Sequence, residues 1–243
     1  MKLAEGIEML ELTSDLAGRR MTIYPILFTD RDGTTLVDTG MPGQLPALLA
    51  AIDATGVSPA SLRRIVLTHQ DMDHIGNARE LRSKSGAAVL AHEEEVPYIQ
   101  GEKRLLKFDP SRLESMLASL PEAARDSARA LFSSPPSAHV DQYLHDGDVI
   151  PVGAGARVVY TPGHTPGHIS LYVPTERLLI AGDGLRVESG QLLGPSEANT
   201  PDMERALLSV RKMAELEVET VVCYHGGPFG PGAGGRLKEI AGR

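Results

Sequence analysis

Short apolar runs rich in Val, Ile and Leu recur along the chain and alternate with segments whose apolar residues follow helical spacing. Runs of β-branched and aliphatic residues between turn residues predict strands, and apolar positions three and four residues apart predict helices. The predicted strands are 6–12, 21–28, 34–40, 64–67, 88–92, 157–160, 169–173, 177–181 and 219–223. The predicted helices are 45–54, 77–85, 111–120, 121–132 and 202–216. This alternation predicts an α/β chain with strands in both halves.

One stretch, residues 93–140, interrupts the alternation, because it has helical composition and little strand signal. We predict a helical insertion there that forms a lid near the functional site, since loops near sites carry the variable parts that recognise substrates. A helical hairpin that only widens the core is the alternative. The 243 residues suit one large domain, so we predict a single domain over 1–243.

Composition narrows the classes of partner. A formal net charge of −8, without a long run of Lys or Arg, argues against nucleic acid, since phosphate binding needs a concentrated basic surface. No stretch approaches the roughly 20 apolar residues of a membrane span. The single cysteine, Cys223, excludes an internal disulfide and should pack in the core as a small apolar residue. We therefore predict a cytoplasmic protein that binds neither nucleic acid nor a membrane.

The most informative stretch is residues 67–76, with the sequence LTHQDMDHIG, at the exit of a predicted strand. Two histidines and two aspartates fall within six residues there: His69, Asp71, Asp73 and His74. Imidazole nitrogens and carboxylate oxygens are the donors that hold zinc, iron or manganese. The spacing therefore predicts a metal site. A polar loop in which Asp73 only caps the next helix is the less favoured interpretation.

The stretch resembles the HxHxDH signature of the metallo-β-lactamase superfamily, with Asp71 in place of the usual second histidine. The other motifs of that family follow in order. They are His164 in the turn TPGHTPGH, Asp183 at the end of the run LLIAGD, and His225 before a glycine in VVCYHGG. Four motifs in the required order make a specific match. The resemblance implies a four-layer αββα sandwich of the metallo-β-lactamase fold, in the α/β (α+β) class.

The resemblance also implies two divalent metal ions, zinc first and manganese or iron as alternatives, that activate water for hydrolysis. Carried over position by position, it places His69, Asp71 and His164 around one metal, Asp73, His74 and His225 around the other, and Asp183 between them. Similar enzymes use the residue at Asp73 as the proton acceptor, so Asp73 is the predicted catalytic residue. His168 should hold its turn by hydrogen bonds, and Asp38 should support the site without binding metal.

The resemblance implies a small-molecule substrate, and the expected reaction is hydrolysis of an ester, thioester or lactone-type carbonyl. Quorum-signal lactonases of similar sequence carry a tyrosine three residues after the bridging aspartate, whereas this chain has Arg186, which suits a substrate carboxylate or phosphate or else points to solvent. A phosphodiesterase and an iron-dependent redox enzyme, similar to a sulfur dioxygenase, are the alternatives. His92 lies either near the site mouth or in a cap, and His139 and His145 should be structural or exposed.

Overall fold

The computed structural model describes residues 1–16, 19–108, 114, 117, 118 and 120–242. Two β-sheets lie face to face, and helices cover the outer face of each sheet. The layers therefore follow the order α, β, β, α. The predicted α/β fold class and four-layer sandwich are confirmed.

The strands described, numbered in chain order, are β1 (Lys2–Ala4), β2 (Ile7–Met9), β3 (Leu12–Leu16), β4 (Arg19–Ile23), β5 (Ile26–Asp30), β6 (Gly33–Val37), β7 (Leu62–Leu67), β8 (Ala88–His92), β9 (Gln142–Leu144), β10 (Val149–Ile150), β11 (Ala156–Tyr160), β12 (Ile169–Val173), β13 (Leu178–Gly182), β14 (Arg186–Glu188), β15 (Gln191–Leu193), β16 (Thr220–Cys223) and β17 (Gly227–Phe229). The first sheet has the order β1-β2-β5-β6-β7-β8-β9, and the second β10-β11-β12-β13-β16-β17. Hairpins β3-β4 and β14-β15 stand beside them.

The α-helices described are Leu45–Asp53, Met72–Ile75, Ala78–Ser85, Val96–Ile99, Glu122–Ser133, Met203–Ala214 and Ala233–Ala241. Short 3₁₀ turns occupy Pro59–Ser61, Glu93–Glu95, Pro174–Glu176 and Glu197–Asn199. Among these helices, none is long and apolar enough to cross a bilayer.

Side chains alternate between the faces of each strand and so build three separate cores. In β6, Leu36 packs beside Leu48 of helix Leu45–Asp53, in the core outside the first sheet. The next residue, Val37, points the other way and packs with Val222 in the core between the sheets. A third core lies outside the second sheet, where helices Met203–Ala214 and Ala233–Ala241 pack.

Parallel strands in both sheets bring their carboxyl ends to one edge of the sandwich. Strand β7 runs parallel to β6 and β8 in the first sheet, and β13 runs parallel to β16 in the second. The two sheets are tied together at this edge, because the Ile169 N–H donates to the Thr68 carbonyl at 3.0 Å. The residues that follow β7, β13 and β16 therefore converge on one place.

Several predicted elements match closely: helix 45–54 is seen as Leu45–Asp53, and strands 88–92 and 169–173 coincide with β8 and β12. The predicted helix 111–120 lies largely outside the described residues. The next one, 121–132, is seen as Glu122–Ser133. The single domain over 1–243 and the lid role of 93–140 stay predictions.

Cys223 lies in the core outside the second sheet and is fully buried. Burial is the main cause that raises the pKa of its thiol well above the ordinary value, so the reactive thiolate is scarce at neutral pH. We expect Cys223 to react with a disulfide reagent such as DTNB only after the protein unfolds. Absorbance at pH 8 with and without guanidinium measures this, and rapid reaction of the folded protein would contradict it.

Candidate metal centre

The loop after β7 places four polar side chains at the edge of the first sheet. His69 and His74 are fully buried, whereas Asp71 and Asp73 keep a small exposed fraction. Asp73 and His74 lie in the short helix Met72–Ile75, which follows His69 and Asp71, and they belong to a second group of donors. One loop therefore supplies donors to two neighbouring groups.

The first donor group consists of His69, Asp71, His164 and Asp183, whose donor atoms all lie within 4.8 Å of one another. His164 Nε2 lies 3.1 Å from Asp71 Oδ2 and 3.3 Å from Asp183 Oδ2. His69 Nε2 lies 3.3 Å from Asp71 Oδ2. Gly163 makes the His164 turn possible, because its φ is +134° and an added Cβ would meet the Ala206 nitrogen at 2.4 Å.

The second donor group consists of Asp73, His74 and His225, again with donor atoms within 4.8 Å. His225 Nε2 lies 3.2 Å from Asp73 Oδ2. Asp183 also faces this group, since its Oδ1 is 3.4 Å from His74 Nε2 and its Oδ2 is 3.4 Å from His225 Nε2. All seven predicted ligands are therefore brought together, with Asp183 between the two groups.

The centre concentrates negative charge in a buried place. Burial opposes the charged form of His225, but Asp183 and Asp73 outweigh it and raise the pKa of His225 to about 10. Burial likewise opposes ionisation of Asp183, yet His225, His74 and His164 hold the pKa of this carboxyl well below its usual range. The three carboxylates therefore favour positive charge at the centre.

The donor set suits metal cations. The Nε2 atoms of His69 and His74 are buried, and neither forms a hydrogen bond with any described residue. Buried polar atoms are normally satisfied, so such atoms call for a ligand. Imidazole and carboxylate donors match zinc, manganese and iron. The residues present thus fit divalent ions.

Two side chains hold His74 from behind. Asp38 Oδ2 lies 2.8 Å from His74 Nδ1, and its Oδ1 accepts from the Thr68 N–H at 2.9 Å. Asp38 thus supports the site without entering either donor group, as expected. Tyr224, which sequence reasoning did not identify, stacks on His74 with ring centroids 3.8 Å apart and donates its hydroxyl to the Asp73 carbonyl at 2.5 Å.

His168 lies behind Asp183. Its Nε2 accepts from the Asp183 N–H at 3.1 Å, and its Nδ1 lies 3.1 Å from the Thr161 carbonyl. Burial is the main cause that lowers the pKa of His168 to about 3, so the ring is neutral at pH 7. An added Cβ on Gly182 would meet His168 Nε2 at 2.8 Å. His168 thus fixes the backbone that carries Asp183.

The other residues considered from sequence have partners outside the donor groups. Arg186 donates to Glu188 at 2.7 Å and to the Gly194 carbonyl, within its own hairpin. His92 stacks on Tyr160 with centroids 4.4 Å apart, and it accepts from the Glu94 N–H at 3.3 Å. His92 is thus a cap. His139 and His145 are exposed and belong to neither donor group.

Sequence reasoning missed a cation beside the first donor group. The Lys107 ammonium lies 2.5 Å from Asp71 Oδ2 and 2.5 Å from His164 Nε2. Its segment is held there because the Leu106 N–H donates to the Gln70 side chain at 2.8 Å. A pocket of about 120 Å³ opens beside it, lined by Asp71, Met72, Asp73, Leu105, Lys107 and Phe108. No motif surrounds Lys107, so only the fold reveals its position.

Comparison with known proteins decides the family. The sequence model of the metallo-beta-lactamase superfamily matches residues 20–225, which include all members of both donor groups. The chain belongs to the metallo-β-lactamase superfamily. It is a metallo-hydrolase of that superfamily, and membership implies divalent metal ions. Its hydrolase homologues act on small-molecule substrates.

Individual relatives agree with this family. The protein "Probable metallo-hydrolase YflN" of Bacillus subtilis (strain 168) is 33% identical over 221 residues, covering 86% of this chain and 81% of that protein. A hydroxyacylglutathione hydrolase of Cereibacter sphaeroides is 29% identical over 191 residues, and the match spans 78% of this chain but only 56% of the relative. A metallo-beta-lactamase family protein from Thermus thermophilus superimposes with a TM-score of 0.73 at 25% identity, covering 99% of this chain and 80% of that one.

Proposed function

We propose that this superfamily member binds two divalent metal ions, one in each donor group, and hydrolyses an ester, thioester or lactone-type carbonyl. The observation that carries the proposal is the position of Asp183, whose carboxylate oxygens lie 3.3 to 3.4 Å from imidazoles of both groups. A carboxylate shared in this way can serve two cations at once. Zinc is the proposed metal, because four of the seven donors are imidazoles, and manganese or iron are the alternatives.

When bound, such ions polarise a substrate oxygen and lower the pKa of water. The chain's own residues then accept the released proton and hold the acceptor in position. We assign Asp73 as the acceptor of the proton released when water attacks. Its carboxylate is 18% exposed and lines the pocket described above, so the proton has a route onward to solvent. The hydroxyl contact of Tyr224 to the Asp73 carbonyl holds this residue in place.

The choice of carbonyl substrates rests on the relatives and on the charge near the centre. Proteins named hydroxyacylglutathione hydrolase are among the relatives, which supports an acyl thioester as one candidate. Because the chain spans little more than half of those proteins, recognition of the glutathione part does not carry over. Lys107 lines the pocket, and although Asp71 balances its charge, its ammonium could donate a hydrogen bond to a substrate carboxylate.

A metal-reconstituted substrate screen tests the proposed function. Metal-free protein loaded with zinc, manganese or iron should hydrolyse a lactone or thioester, an acylglutathione included, at least tenfold faster than a phosphodiester or a β-lactam. The control is the same protein kept with a chelator, which should lose the activity. Preferred cleavage of the phosphodiester would support the phosphodiesterase alternative and contradict carbonyl hydrolysis.

One observation favours a second candidate, an iron-dependent redox enzyme. Asp71 brings a third carboxylate to the centre, and carboxylate oxygens suit harder metals than imidazole does. Oxygen consumption by the iron-loaded protein with a sulfur substrate, without hydrolysis of any member of the screen, would establish that candidate instead.

A further inference from the structure

Glu95 is a buried carboxylate in the turn that follows β8, outside both donor groups. Its Oε2 accepts from the Gln70 N–H at 2.8 Å and from the Gln70 side-chain amide at 3.0 Å. Its Oε1 accepts from the Gly167 N–H at 2.7 Å. The side chain is completely inaccessible to solvent, so these donors are what stabilises it there.

These contacts join the two loops that carry the first donor group. Gln70 lies between His69 and Asp71, and Gly167 lies three residues after His164. The approach is close enough to require glycine, since an added Cβ at Gly167 would meet Glu95 Cγ at 2.8 Å. One carboxylate therefore links the two loops that carry three of the four donors of that group.

The second donor group is held by other contacts. Asp38 and Tyr224 support it from behind, and the described hydrogen bonds of Glu95 include none to this group or to its loop around His225. The two groups share the loop after β7 and Asp183, but only the first also includes a member of the loop that Glu95 contacts at Gly167. A change at Glu95 should therefore weaken the first group more than the second.

We propose that Glu95 is a positioning residue that holds the first donor group in its metal-binding geometry and thereby sets the metal affinity of that group more than that of the second. The inference rests on the proposed metal centre. A role limited to stabilising the fold would lower the melting temperature of the protein without separating the affinities of the two groups.

Glu95→Gln tests the role with little change of shape. The substitution replaces one carboxylate oxygen by an amide nitrogen, which would face an N–H donor instead of accepting from it. Hydrogen bonds to a charged acceptor are roughly twice as strong as neutral ones, so the remaining contacts also weaken. Loss of a supporting partner behind a metal ligand typically weakens metal binding about 10–100-fold.

The experiment is a zinc titration of metal-free protein against a chromophoric chelator. Asp71→Ala identifies which binding step belongs to the first donor group. We expect Glu95→Gln to weaken that step about 10–100-fold and to leave the other step within about twofold. Glu93→Gln is the matched control, because Glu93 lies exposed in the same turn, and it should titrate like the wild type.

Two results would overturn the role of Glu95. One is an unchanged zinc affinity at both binding steps, and the other is an equal weakening of both steps. If Glu95→Gln fails to fold by circular dichroism, Glu95→Asp replaces it, since this variant keeps the charge on an arm too short to reach both loops, and the same selective weakening is expected. A wild-type protein that binds no zinc, manganese or iron would instead overturn the proposed metal centre itself.

Discussion

Asp183→Ala is expected to remove most bound metal and to lower the rate of substrate hydrolysis by at least about 100-fold, the upper range for losing a mere supporting partner. The reason is its position, because one carboxylate lies 3.3 to 3.4 Å from imidazoles of both donor groups. Without it, each group loses a negative donor, and imidazoles of the two groups repel one another when more than one of them carries a proton. Elemental analysis and kcat/KM measure the two effects.

The matched control is His139→Ala, which removes an exposed imidazole that belongs to neither donor group. It should keep the metal content and the rate of the wild type. Asp183→Ala should still fold, because His168 bonds to the backbone of Asp183 and not to its side chain. Equal losses in both variants would mean that the assignment of ligands is wrong.

The sheets could be predicted from sequence because their side chains are buried on alternate faces. Strands β8 and β12 are largely apolar runs between turns, so their pattern alone predicts them. Helix Ala233–Ala241 was missed, since Gly234 and Gly235 weaken its helical signal. It forms because Leu237 and Ile240 pack into the core outside the second sheet, a tertiary contact that local propensity does not contain.

The candidate ligands could be proposed from sequence because metal donors must be His, Asp, Glu or Cys and occur in dense motifs. Supporting residues carry no such restriction. Glu95 stands in a run of three glutamates, and only the structure distinguishes it from its exposed neighbour Glu93. Lys107 lies 36 residues after Asp71 in a segment without strand signal, so only folding brings the two together.

Asp71 stands where the family pattern has a second histidine, and it forms a charged pair with Lys107. This pair changes the net charge that the substitution brings to the centre. A carboxylate in place of a histidine adds one negative charge to the centre, but the Lys107 ammonium 2.5 Å away adds one positive charge. Among the described neighbours, His69, His164 and Lys107 overcome the effect of burial and hold the pKa of Asp71 well below its usual range. The pair therefore restores the charge that a neutral histidine would give.

The charge balance between Asp71 and Lys107 should control the pH dependence of the reaction. Asp71→His removes the partner of the Lys107 ammonium and so adds net positive charge at the centre. Added positive charge favours the ionised form of an acid there, so the pH profile of the rate should shift toward acid pH. Metal preference should move toward zinc. Lys107→Met removes the positive charge and should shift the profile toward alkaline pH. The double variant restores the net charge of the wild-type pair, so its profile should lie close to that of the wild type.

The same variants should also differ in their affinity for zinc. The ammonium contacts atoms of Asp71 and His164 that a metal in the first donor group would need, so ammonium and metal compete for them. Two unit charges 4 Å apart interact by about 4 kcal/mol at an effective dielectric constant of 20, and a third of that is about tenfold in affinity. We expect Asp71→His to bind zinc at least about tenfold more weakly than the Asp71→His/Lys107→Met double variant, a coupling that a double-mutant cycle measures.

Lys103→Met, which removes an exposed lysine of the same segment, should change neither the zinc affinity nor the pH profile. If Asp71→His and Lys107→Met both leave profile and metal content unchanged, Asp71 is not a ligand, and two histidines with Asp183 hold the first metal.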